Sequence, residues 1–367
     1  MKTNRRLLSR GERIRVLAVD DSVVIRRLIA KALSDHPSIE LIATASNGAL
    51  GLQRIDQLHP DVVTLDIEMP DMDGLEVLRR IRKEFPATRV IMFSTLTERG
   101  AAITLEALAL GADDYVTKST NEGAAAVSPA EKLQQGLLPK ITQFFKFPDD
   151  EVIPQAVQSG DRIAKTSAAH PWQPKGKPKV VVIGVSTGGP AALGVILPKF
   201  PVTFALPILV VQHMPPLFTR FLAERLNGTC SLRVEEATEG SAVGPGKIFI
   251  APGDYHMKIA AKNGQVGVSL DQSPQENYCR PAVDVLFRSV AEVYGGSVLA
   301  VVLTGMGQDG LRGTEVLKAQ GATVFAQDEA SSVVWGMPGA VAQSGLADKV
   351  LSLNDIVPQI MSAVSGN

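Results

Sequence analysis

A chain of 367 residues is too long for one ordinary hydrophobic core and suits two domains joined by a linker. Its 37 Lys and Arg nearly balance 38 Asp and Glu, so no basic field draws it onto nucleic acid. No apolar stretch approaches the roughly 18 residues needed to cross a bilayer. The basic residues Lys2, Arg5, Arg6 and Arg10 have no apolar segment behind them, so they read as a solvated tail rather than a signal peptide. Cys230 and Cys279 lie far apart and form no CxxC pair, which fits a reducing cytoplasm, and neither has a histidine neighbour in sequence.

From Arg13 to about Lys118, short apolar runs alternate with amphipathic ones. The pattern predicts strands near 14–19, 40–44, 61–66, 89–94 and 113–117, with helices near 22–34, 48–58, 74–85 and 98–110. Such units build an α/β, flavodoxin-like parallel five-stranded sheet in the order 2-1-3-4-5, with ligands bound where strands one and three flank the reversal of winding.

Asp20 and Asp21 end the first run and Asp66 the third, so three acids meet at that edge. Mutual repulsion makes such a cluster costly unless a cation neutralises it. Hard oxygen ligands completed by water suit Mg²⁺, and a carboxylate beside Mg²⁺ reads as a phosphoryl acceptor. Ser94, with Thr95 beside it, ends the fourth strand and offers a hydroxyl. Lys118 ends the fifth and offers an ammonium to Asp66 or to a phosphoryl oxygen.

Val19-Asp20-Asp21-Ser22, the stretch from Asp66 through Met69-Pro70 to Gly74, and Gly111-Ala112-Asp113-Asp114-Tyr115-Val116-Thr117-Lys118 resemble the receiver domain of bacterial two-component response regulators. The resemblance implies Asp66 as phosphorylation site, with Asp20, Asp21 and the Glu68 backbone carbonyl joining it as Mg²⁺ ligands. It also implies Ser94, Tyr115 and Lys118 as the switch residues. Receivers usually follow that lysine with proline in a cis peptide, whereas Ser119 stands here.

Residues 129–147 predict one more amphipathic helix, weakened by Pro139. Pro148, Pro154, Pro171, Pro174 and Pro178 then punctuate a stretch without hydrophobic period. The expected division is a receiver over 13–147, a linker over 148–178 and a second domain over 179–367.

The second domain opens on the buried run Val180–Val185 and a turn, Ser186-Thr187-Gly188-Gly189, before a helix starting near Pro190. Gly184-Val185-Ser186-Thr187-Gly188 fits the G-x-S-x-G pattern of a nucleophile elbow. A phosphate cradle and a plain tight turn remain alternatives, although the Walker and dinucleotide patterns are absent. A serine hydroxyl needs a base. His36 and His59 sit beside prolines at receiver helix ends, His170 lies in the linker, and His256 lies in antiparallel hairpin territory. His213 ends the strand Pro207–His213, on the Ser186 edge. An orienting acid is also needed, and Asp309 follows the buried run Ser297–Leu303, with Asp328 as runner-up and Asp284 inside a helix-like stretch.

The order Ser, His, Asp differs from that of α/β-hydrolases. Gln212-His213-Met214-Pro215, Val283-Asp284-Val285-Leu286-Phe287 and Leu303-Thr304-Gly305-Met306-Gly307-Gln308-Asp309-Gly310 resemble the catalytic domain of chemotaxis protein-glutamate methylesterases. The resemblance implies a doubly wound α/β catalytic domain with an antiparallel hairpin and no cofactor of its own. It implies Ser186 as nucleophile, His213 as base and Asp309 as orienter, with backbone NH groups of Met306 and Thr187 serving the oxyanion. It further implies a chemotaxis histidine kinase as phosphodonor and methyl-accepting chemoreceptors as substrates, through which alone the membrane is met. A response regulator whose second domain binds a partner or nucleotide without hydrolysis is the alternative reading.

Overall fold

The computed structural model describes residues 5–118, 128–147 and 177–365. Ser119 and most of the expected linker lie outside the described residues. Among the described residues no helix is long and apolar enough to cross a membrane.

The receiver sheet is built from β2 (Ile14–Val19), β3 (Ile39–Ala45), β4 (Val62–Asp66), β5 (Arg89–Thr95) and β6 (Asp114–Lys118). All pairings are parallel and the spatial order is β3-β2-β4-β5-β6, the expected 2-1-3-4-5 winding. Helices α1 (Val23–Leu33), α2 (Gly48–Leu58), α3 (Gly74–Glu84) and α4 (Glu98–Ala109) fall where the periodicity places them. Ser22, Asn47, Asp73 and Thr97 cap their N-termini by accepting from backbone NH groups.

Two expectations change. The predicted 129–147 helix ends early: α5 runs Pro129–Thr142, opened by a Ser128/Glu131 capping box, and the chain then becomes strand β7 (Phe145–Lys146). The basic N-terminus is no solvated tail either. Strand β1 (Arg6–Leu7) pairs in parallel with β7, Leu8 is buried, and Arg5 Nε donates to the Gln143 carbonyl at 2.8 Å. Leu8 supplies the apolar surface that anchors this segment, a signal outweighed by the surrounding charge.

The second domain carries a seven-stranded parallel sheet in the order β10-β11-β9-β8-β14-β15-β16. Its strands are β8 (Val180–Val185), β9 (Ile208–Gln212), β10 (Arg233–Glu236), β11 (Lys247–Ile250), β14 (Val298–Val302), β15 (Thr323–Gln327) and β16 (Lys349–Leu351). The antiparallel hairpin β12 (His256–Lys262) with β13 (Gln265–Asp271) packs apart from it against α8 (Val283–Tyr294). Helices α6 (Gly189–Ile196), α7 (Phe218–Asn227), α9 (Leu311–Ala319), α10 (Met337–Gln343) and α11 (Ile356–Ser365) complete the layers. The inner strands β8, β9, β14 and β15 are buried throughout and rich in Val and Ile, as a sheet covered on both faces requires. Winding starts at central β8, proceeds to β9 on one side and returns to β14 on the other, so the carboxyl edge of β8 is a topological switch point.

The two domains are packed together. Tyr115 of β6 stacks on Phe218 of α7 with ring centroids 4.9 Å apart and planes 8° from parallel. Helix α4 lies against α7, where Arg220 pairs with Glu98 at 2.6 Å. Lys146 reaches Glu329 at 3.2 Å.

Candidate functional site

The receiver edge carries the acidic cluster expected of it. Asp20, Asp21 and Asp66 each offer a carboxylate oxygen within 4.8 Å of the others. Lys118 Nζ lies 2.8 Å from Asp66 Oδ2 and 3.0 Å from Asp20 Oδ2. Burial, with the Asp20 charge adding to it, pushes the Asp66 carboxyl up to about 6, although Lys118 opposes the shift. Burial raises Asp20 as well. Asp20 and Asp66, both held above their ordinary range, with the Asp21 carboxylate beside them, are a donor set that a hard divalent cation would satisfy. Glu68 lies two residues beyond Asp66, its backbone NH donating to Asp66 Oδ1 at 3.4 Å. Ser94 is turned away: its hydroxyl lies 2.6 Å from Thr104 Oγ1 and 3.2 Å from the Gly100 carbonyl, engaged with α4 rather than with Asp66. Tyr115, expected with Ser94 and Lys118 as a switch residue, is buried in the domain interface.

The second site lies at the switch point. Val185 pairs with Gln212, and His213 NH donates to the Val185 carbonyl at 3.3 Å, so Ser186 and His213 leave adjacent strand ends side by side. Ser186 is held by its backbone: its NH donates to Thr304, and its carbonyl accepts from Gly189 NH and from Gln212 Nε2. The turn needs its glycines. Gly188 sits at φ 78°, and a Cβ on Gly189 would fall 1.9 Å from Gln212 Oε1.

Asp309 reaches the same edge from the loop after β14. His213 Nε2 donates to Asp309 Oδ2 at 2.7 Å, which fixes the tautomer and leaves Nδ1 as the nitrogen free to accept a proton. Backbone NH groups of Val283, Asp284 and Gly310 also donate to the Asp309 carboxylate. Burial alone would raise the Asp309 carboxyl, but the His213 hydrogen bond and charge, with the NH groups of Val283 and Asp284, hold it below the ordinary range. Burial alone would lower His213, and the Asp309 hydrogen bond together with the Cys279 thiol lifts it to about 10. No hydrogen bond joins the Ser186 hydroxyl to His213 among the described residues, a common condition of such sites before substrate binds. The NH groups of Thr187 and Met306 have no protein acceptor among the described hydrogen bonds.

Of the other candidate histidines and acids, His170 lies outside the described residues. His256 is buried, its Nε2 near the Pro274 carbonyl and its Nδ1 accepting from Ala282 NH. Asp328 caps the turn at Ser331. Two contacts with the pair are ones that sequence reasoning missed: Asn277, whose Nδ2 donates to Asp309 Oδ1 at 3.0 Å, and Cys279, which reaches His213 across the fold although no histidine neighbours it in sequence.

The receiver frames this edge. Arg5 and Lys146 line the same cleft of about 660 Å³ as His213, Met306 and Asp309. Thr187 Oγ1 lies 3.1 Å from both Asp114 Oδ2 and Gln143 Oε1 of the receiver.

Comparison with known proteins places this geometry. The family model described as CheB methylesterase matches residues 181–360, and that described as response regulator receiver domain matches residues 16–126. A protein-glutamate methylesterase/protein-glutamine glutaminase of Trichodesmium erythraeum is 47% identical over 355 residues, covering 96% of this chain and 99% of that protein. The chain belongs to the CheB methylesterase family. A relative of the same description from a Nocardioides species is 49% identical and covers 95% of this chain and 94% of its own length. The crystal structure of the Thermotoga maritima CheB methylesterase catalytic domain is 48% identical, with a TM-score of 0.50, covering 50% of this chain and 98% of that one. The CheB framework therefore includes both halves of this chain.

Proposed function

We propose that this member of the family hydrolyses glutamate methyl esters on chemoreceptors under control of its receiver, residues 13–147, acting on the catalytic residues of 179–367. The observation that carries the reading is the His213–Asp309 pair, 2.7 Å apart beside Ser186 at the switch point, in a chain 47% identical to a methylesterase over nearly its whole length.

The residues divide the reaction among them. Ser186 Oγ attacks the ester carbonyl while His213 Nδ1 takes its proton, and Asp309 stabilises the imidazolium that forms. The tetrahedral oxyanion is met by the unengaged NH groups of Met306 and Thr187. Its collapse expels methoxide, which takes the proton from His213 and leaves as methanol. Water, deprotonated by His213, then cleaves the acyl-serine to the glutamate carboxylate and free Ser186. A glutamine side chain enters the same cycle with ammonia as leaving group, in keeping with the glutaminase half of the relatives' name.

Asp66 accepts a phosphoryl group from a chemotaxis histidine kinase. Asp20, Asp21, Asp66 and the Glu68 carbonyl would hold Mg²⁺, which supplies neutralising charge at the acceptor when bound. Lys118 already bridges Asp66 and Asp20 and remains to pair with the phosphoryl oxygens. Phosphorylation at Asp66 would draw the Ser94 hydroxyl out of its contacts with α4 and repack Tyr115 against Phe218, loosening a receiver that narrows the Ser186 edge.

The deciding assay is methanol release from isolated methylated receptor membranes, with and without a small phosphodonor and Mg²⁺. Turnover that rises with phosphodonor and disappears in Ser186→Ala is expected. Unchanged output in Ser186→Ala would instead identify a non-hydrolytic binding domain. Basal turnover equal in the full chain and in residues 179–367 alone would overturn inhibition by the receiver.

A further inference from the structure

Glu276, Asn277, Tyr278 and Cys279 form a tight turn ahead of α8. The Glu276 and Cys279 backbones exchange both hydrogen bonds, at 3.1 and 2.9 Å. The two central residues are left-handed, Asn277 at φ 52° and Tyr278 at φ 62°. Two positive φ values mark a type I′ turn, where asparagine is among the few residues with a side chain that fit. Arg288 of α8 anchors the turn by donating to both Glu276 carboxylate oxygens, at 2.8 and 2.5 Å.

This turn delivers the Asn277 carboxamide to a point between two buried acids. Its Nδ2 donates to Asp309 Oδ1 at 3.0 Å and to Asp284 Oδ2 at 2.9 Å. Asp284 is 1% exposed and Asp309 is 2% exposed. Only the NH₂ end of a carboxamide can face two carboxylate oxygens, so the partners settle its orientation.

Neighbouring buried carboxylates raise one another's proton affinity. Asp309 resists because His213 and three backbone NH groups face it. Asp284 has one backbone donor, Gly313 NH, and is pushed up to about 6 by burial and then by the Asp309 charge. Glu276 and Arg288 are the other charged groups facing this pair, and His256 faces Glu276.

We infer that Asn277 is a positioning residue for ester hydrolysis, its two N–H bonds keeping the Asp309 carboxylate ionised and aimed at His213 in the presence of Asp284. The inference rests on the Ser186–His213–Asp309 reading and deepens it. Asn277 acts through Asp309 and not on the ester. Without the amide, two buried carboxylates share a space with no donor between them, and a proton taken by Asp309 removes the anion that orients the imidazole.

The test follows methanol release from methylated receptor membranes by the full chain over a range of pH. Asn277→Gly deletes the amide while keeping a residue suited to the turn. Its kcat should fall about 10- to 100-fold, with KM changed less than about twofold. The acid limb of its kcat/KM profile should move to higher pH, since an Asp309 carboxylate that has lost a donor holds the His213 proton more tightly. Adding Asp284→Asn removes the repelling charge and should restore about tenfold of the lost kcat. Asp284→Asn alone should move the acid limb to lower pH, and it decides the matter if Asn277→Gly melts at the assay temperature. A wild-type rate and profile in Asn277→Gly, a loss that Asp284→Asn does not relieve, or an unmoved limb in Asp284→Asn alone overturns the inference. A wild-type chain no more active than Ser186→Ala would show instead that the esterase reading had failed and carried this inference with it.

Discussion

Charge placement at single residues sets how both sites respond to pH. Asp66 has its carboxyl raised to about 6, so between the unfolded value and that point the native state binds the extra proton. Stability therefore falls as pH rises through this window, and a cation at the cluster offsets the loss. Mg²⁺ affinity measured by titration calorimetry should be steady near pH 8 and weaken about tenfold per unit below about pH 6, where a proton competes for Asp66. At the second site only neutral His213 can accept the serine proton, so kcat/KM should climb with pH. The Cys279 thiol contributes to the raised His213 value, so Cys279→Ser should shift that climb to lower pH. An unshifted profile would remove the thiol from the account. Asp309→Asn should lower kcat by about three to four orders of magnitude while leaving the protein folded, because an amide stabilises neither the correct tautomer nor the imidazolium.

At the level of elements, strand ends hold the chemistry and glycines let the pieces approach. A Cβ at Gly184 in β8 would fall 2.4 Å from Val283 Cγ1, and Val283 NH is one of the donors to Asp309. Gly184→Ala should cost about 1 to 3 kcal/mol by overpacking, read as a lowered denaturant midpoint. It should also reduce turnover by displacing the start of α8. The strands and helices that define this framework were legible because buried parallel strands are nearly continuous apolar runs and receiver helices show their period. The N-terminal strand β1 was not: a two-residue strand has no period to detect, and its neighbours Arg5, Arg6 and Arg10 speak for solvent.

Across the whole molecule, the Tyr115–Phe218 stack joins β6 of the receiver to α7. An aromatic pair of this kind is worth about 0.5 to 1.5 kcal/mol, so Tyr115→Ala should raise basal methanol release of the unphosphorylated chain by about two- to tenfold. The same substitution should reduce the further stimulation given by phosphodonor. Basal release equal to that of the parent chain would show that the stack does not restrain the catalytic edge.

Local pattern was enough to assign the α/β class, the receiver winding and the acids at its edge, and to nominate Ser186, His213 and Asp309 as candidates. Each of these depends on short-range facts: an apolar run, what ends it, and the rule that parallel strands present their carboxyl ends together. Tertiary structure alone decided that Asn277 stands between Asp309 and Asp284, that Cys279 meets His213, and that Asp114 and Gln143 of the receiver approach Thr187. Those contacts join residues up to 73 positions apart. They arise from a turn geometry and a domain packing in which side chains meet through space, and spacing along the chain carries no trace of such meetings.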